Sequence, residues 1–168
     1  LNINNFNLIG NIPSYPLSVN NSLSGYELIF QQTFTGNQIL NLSIQNINDL
    51  AGNSLFDTIQ IIVPDTAQKG EILINEILFD PFAGGSDYVE IINHSNSSFD
   101  IFKYFIADYD NGISNLKRIN QHFILNPNEL VLFTEDSTST IIDYPSNNSS
   151  RFIQMDLPSF PNDSATVF

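Results

Sequence analysis

The stretch ILINEILF, residues 72–79, decides how this chain is read. Its Ile, Leu and Phe residues are what a buried β-strand uses. Yet Asn75 and Glu76 stand at its centre, where such a strand should be driest. Two explanations compete: Glu76 is a catalytic carboxylate, or it is a structural acid held by a hydrogen bond. The rest of the sequence favours the second.

Apolar residues make up 42% of the 168 positions and aromatic residues 12%, enough to bury a core and to exclude intrinsic disorder. Asn and Ser are abundant. Their side chains compete for backbone hydrogen bonds, so they favour turns and strand ends over helix interiors. No 3.6-residue periodicity runs beyond two turns. The composition predicts an all-β protein.

The charge is one-sided, with 18 acidic residues against 5 basic and a net charge of −13. No Lys or Arg precedes Lys69, and only Lys117 and Arg118 stand together. Phosphate backbones require clustered cations, so the composition disfavours nucleic acid and anionic lipid, and no nucleic-acid partner is expected. The absence of Cys removes disulfides and thiolate metal sites. No apolar run approaches the roughly 20 residues of a transmembrane helix.

Turn signals divide the chain near residue 66. Before it, strands are predicted over 6–9, 26–34, 38–47 and 58–63, with a loop at 49–53. The segment PDTAQK (64–69) reads as a linker, because Pro ends a strand and nothing larger than Ala follows among the apolar residues. Beyond it, strands are predicted over 71–79, 88–93, 99–109, 113–124 and 129–133, with a last one starting at 165. Short strands at this spacing predict a sandwich or barrel.

The second block resembles the lamin-tail domain, an immunoglobulin-like sandwich of nuclear lamins and of many secreted bacterial proteins. ILINEILFDP (72–81) is similar to the opening strand of that family. DYVEIINHSNSSFDI (87–101) is similar to the strand and polar turn that follow. YFIADYD (104–110), LNPNELVLFTED (125–136) and LPSFPND (157–163) resemble later elements in the same order. Tyr88 and Tyr104 stand where the family often carries Trp. The first block, through IQNINDLAGNSL (44–55), is similar to the later half of a bacterial immunoglobulin-like domain. The expected organisation is a partial immunoglobulin-like domain over 1–66, a linker at 67–69, and a lamin-tail-like antiparallel β-sandwich over 70–168, truncated at its C-terminus.

Glu76 and Glu90 fall at corresponding places in two strands able to pair. Two carboxylates flanking a sugar would make a glycosidase. Against this, each could accept hydrogen bonds from backbone N–H groups or from Lys103, or a bulge could turn one outward. No concave site is implied, and sandwiches host function in loops. No residue is therefore assigned a catalytic, cofactor-binding or metal-binding role.

Residues 108–112 (DYDNG) raise calcium as the alternative to an expectation of no cofactor. An EF-hand loop needs Gly at its sixth position and Glu at its twelfth; here Gly is fifth and the Glu is missing. Asn111-Gly112 between strands signals a tight hairpin instead. His94 and His122 lack the companions a zinc site needs.

The function expected is that of a non-catalytic interaction or spacer module in a larger secreted or cell-surface bacterial protein. Its partner would be a protein or polysaccharide at the cell surface. The alternative is a carbohydrate- or protein-binding module attached to a secreted hydrolase, with Tyr104, Tyr109 or Tyr144 as a contact platform. A glycosidase using Glu76 and Glu90 ranks below both. The location implied is extracellular or in the cell envelope.

Overall fold

The computed structural model describes residues 1–10, 14–102, 104–109, 112–145 and 149–159. The chain forms two compact units, Leu1–Asp65 and Thr66–Phe168.

In the first unit, β1 (Phe6–Ile9), β4 (Gln38–Asn48) and β5 (Ser54–Val63) form an antiparallel sheet in the order β1-β4-β5. A hairpin of β2 (Ser18–Ser22) and β3 (Gly25–Ile29) stands apart from that sheet. Phe6, Leu8 and Leu42 are buried, and Leu28, Phe34 and Ile61 pack against them. The strand expected over 26–34 stops at Ile29, and β2 was hidden because SVNNS offers almost no apolar alternation. Asp49 organises the loop before β5. Its Oδ1 accepts from the backbone of Ala51 at 2.9 Å and of Asn53 at 2.8 Å, and its Oδ2 from the Asn53 amide at 2.8 Å. Those bonds from Asn53 hold the Asp49 carboxyl below its ordinary range.

The second unit is built on a four-stranded sheet in the order β13-β12-β7-β6, from β6 (Ile72–Leu78), β7 (Tyr88–Asn93), β12 (Leu130–Thr134) and β13 (Phe152–Gln154). Two short antiparallel pairs complete it. One joins β8 (Phe99–Asp100) to β11 (Ile124–Leu125), the other β9 (Phe105–Tyr109) to β10 (Ile113–Arg118). Val89, Ile101, Ile106, Ile119, Leu125 and Phe133 fill the interior. The all-β, immunoglobulin-like sandwich expected from the sequence is the fold observed.

Two features depart from the sequence reading. The strands expected over 99–109 and 113–124 each break in two. In the first, Asp100 accepts from the Phe102 N–H at 3.0 Å and Tyr104 N–H bonds to Ile101 O at 3.1 Å, which turns the chain. The sheet is also not wholly antiparallel, since β13 runs parallel to β12. A parallel neighbour needs a crossover connection. Helix α1 (Ser137–Asp143) lies in it, two turns capped by Asp136, which accepts from Thr138 and Ser139 N–H at 3.0 Å. The strand expected from 165 lies outside the described residues.

Positive φ explains part of the Asn content. Asn37, Asn46, Asn115 and Asn128 adopt it, and they are all of the non-glycine residues among those described that do. Asn tolerates this region better than other side chains. Asn46 and Asn115 each sit at a register shift, in β4 and β10 respectively.

Candidate functional site

Strands β6 and β7 answer the question posed by Glu76. Val89 and Ile91 of β7 belong to the interior, and directly opposed residues share a sheet face. Ile74 pairs with Ile91, and Ile77 pairs with Val89, so both lie on the inner face although three positions separate them; Ile77 packs on the core, and Ile74, on the edge strand, is 39% exposed. Strict alternation would have sent Glu76 inward with Ile72 and Ile74. The register shift between Ile74 and Glu76 adds one residue at Asn75, which reverses the phase. Glu76 then pairs with Glu90 on the outer face and is exposed. The polar Asn-Glu pair in the middle of an apolar strand therefore marks a β-bulge.

The two carboxylates are engaged by neighbours on that face. Tyr88 Oη donates to Glu76 Oε1 at 2.6 Å, and Asn75 Nδ2 donates to Glu90 Oε1 at 2.6 Å. Burial, the hydrogen bond with Glu76 and that carboxylate's charge raise the Tyr88 phenol far above its ordinary pKa. Of the partners foreseen for these acids, the bulge is the one realised; Lys103 lies outside the described residues. Glycosidic chemistry needs carboxyl groups on either side of a sugar. Glu76 and Glu90 stand directly opposite one another on one sheet face, where two like charges oppose the strand pairing.

Of the tyrosines named as a contact platform, Tyr144 and Tyr104 have different settings. Tyr144 stacks on Phe82, with ring centroids 5.9 Å apart and planes 13° from parallel, and meets Tyr88 edge-on at 5.6 Å. Phe82 is exposed. Tyr104 instead turns its hydroxyl toward the start of the unit, where it accepts from Ala67 N–H at 3.2 Å. Phe82 escaped the sequence reading because it sits in a Pro-Gly-rich turn with no strand pattern around it.

At the expected hairpin, Tyr109 pairs with Ile113, and Asp108 accepts from Ser114 Oγ and from Asn115 Nδ2, the latter at 2.6 Å. These bonds, that from Ser114 foremost, hold the Asp108 carboxyl below its ordinary range. Asp108 is thus a ladder-end acceptor rather than a merely solvated acid. Asp110 and Asn111, on which both the turn and the calcium reading depend, lie outside the described residues. Among the described residues, no cluster of three or more His, Asp and Glu is placed to hold a metal. His94 is exposed. His122 pairs through Nδ1 with Asp100 at 2.6 Å and packs on Phe102 at 4.0 Å. Burial opposes ionisation of Asp100, but the bonds from His122 and the Phe102 N–H outweigh it and lower its pKa.

Asn93, quoted above only as part of a strand, is a fully buried junction. Its Nδ2 donates to Ser97 O at 2.7 Å and Leu125 O at 2.9 Å, while its Oδ1 accepts from Ser95 N–H and Oγ. A buried amide satisfied in this way fixes the β7 turn to β11.

The family model of the lamin tail domain matches residues 65–167. No curated protein and no solved structure matches the chain. The match covers more than half of the sequence and spans the whole of the β6–β13 sandwich: the chain belongs to the lamin tail domain family.

Proposed function

We propose that this chain is a non-catalytic interaction or spacer module of a larger secreted or cell-envelope protein. The observation that carries this reading is the placement of Glu76 and Glu90. The bulge at Asn75 sets both on one outer face, where Tyr88 and Asn75 engage them. An acidic surface with few cations supports a solvated module that avoids polyanions. The test is turnover of chromogenic glycosides by the full chain and by a Glu76→Gln/Glu90→Gln variant. The expected result is an identical background rate for both. Turnover lost in the variant, with its melting temperature unchanged, would make the pair catalytic.

A carbohydrate contact is the second reading, favoured by exposed Phe82 stacked on Tyr144. Aromatic faces of this kind suit the apolar face of a sugar ring. Binding of soluble cell-wall polysaccharide that Phe82→Ala abolishes would establish it.

A further inference from the structure

The geometry points to a binding cleft for a medium-chain aliphatic carboxylate at the β6 side of the lamin-tail unit. An open cavity of about 460 Å³ lies there. That is within the range of roughly 300–1,000 Å³ of small-molecule sites. Its walls are aliphatic, with Ile72 and Ile74 from β6, Ile91 from β7 and Ile106 from β9. Two polar groups stand on its lining, the exposed Lys69 ammonium and the Tyr104 hydroxyl. Among the described residues Lys69 is the one charged residue that lines the cleft, and no carboxylate among them lies within ion-pair distance of it. Tyr104 Oη accepts from Ala67 N–H, but its own hydrogen has no acceptor among the described residues.

An ammonium and a phenolic O–H at one apolar cavity make a donor pair for a carboxylate. The isoleucines would take the alkyl chain. A second copy of this chain is a poor occupant, because each copy carries a net charge of −13.

The test is calorimetric titration of the full 168-residue chain with octanoate and decanoate, below their aggregation concentrations, and with 1-decanol and decyltrimethylammonium. Each methylene buried should raise affinity roughly fourfold, so decanoate should bind more than tenfold tighter than octanoate. Lys69→Gln, at an exposed position, should weaken decanoate at least tenfold and leave 1-decanol unchanged, whereas Lys69→Arg should retain most of the affinity. Four results would each overturn the assignment. These are absence of saturable decanoate binding, equal affinity for decyltrimethylammonium, decanoate binding unaffected by Lys69→Gln, and binding of a neutral Val-Thr-Val-Thr-Val peptide in place of decanoate. The last would make the cleft a strand-docking edge.

Discussion

The Tyr88 phenol donates to the Glu76 carboxylate at 2.6 Å, diagonally across the β6–β7 pair, beside the Glu90 that lies opposite Glu76. Tyr88 is buried and Glu76 exposed, so the bond ties a core aromatic to a surface acid. Removing the hydroxyl in Tyr88→Phe should cost about 1 kcal/mol, the net value of one such bond, read from urea unfolding at pH 7. Glu76→Gln keeps an acceptor at the same place and should cost less than that.

The same contact sets an alkaline signature. The folded phenol titrates above its unfolded value of about 10. Its contribution is therefore fully present below pH ~10 and is lost as pH rises from there through the higher folded value. Unfolding measured from pH 8 to 12 should show a steeper loss of stability for the parent chain than for Tyr88→Phe. Parallel curves would show that the phenol titrates normally.

Asp100 sets the opposite limb. Asp100 is lowered in the folded chain, so its contribution is present above about pH 4 and lost as pH falls through the lower folded value. Asp100→Asn should flatten the acid limb below about pH 4. An acid limb as steep as the parent's would place the sensitivity elsewhere, for instance at Asp49 or Asp108.

Two glycines test local backbone claims. Gly112 has φ +151°, where a β-branched side chain is strained, and Gly112→Val should cost roughly 1 kcal/mol or more. At Gly36 the obstacle is steric. A Cβ would stand 2.5 Å from Asp65 Oδ1 and 2.8 Å from Asp65 Cα, and backbone cannot swing aside as a side chain can. Gly36→Ala should therefore cost about 1–3 kcal/mol, read as a fall in the melting temperature of the first unit.

The sequence disclosed strands where hydrophobic patterning was continuous and hid what depends on single polar residues. β1, β7 and β12 were foreseen within a residue, because FNLI, YVEIIN and LVLFT are dense in β-formers. Helix α1 was hidden, since STSTIID has too few apolar residues to show a helical stripe and is held by the Asp136 cap and the Thr134–Thr140 contact at 2.8 Å. The same is true of the candidate site. The pairing of Glu76 with Glu90 was legible from strand order, but Tyr88 and Asn75 were not legible as their partners. Those partners depend on which face each side chain takes, and the extra residue at Asn75 decides that face.

The extra residue at Asn75 turns Glu76 outward, and single-residue deletions probe that turn. Deleting Asn75 leaves Ile74 opposite Ile91 and Glu76 opposite Glu90 in an uninterrupted register, with only the Asn75–Glu90 bond lost. Deleting Ile74 instead sends Asn75 into the place of an inward isoleucine. The measurement is the urea midpoint of the two deletion variants against the parent chain. The expected loss is roughly 1–2 kcal/mol for the Asn75 deletion and about 1–2 kcal/mol more for the Ile74 deletion, since Ile74 is only partly buried. Equal losses, or a greater loss on deleting Asn75, would show that Glu76 is not turned outward by a bulge.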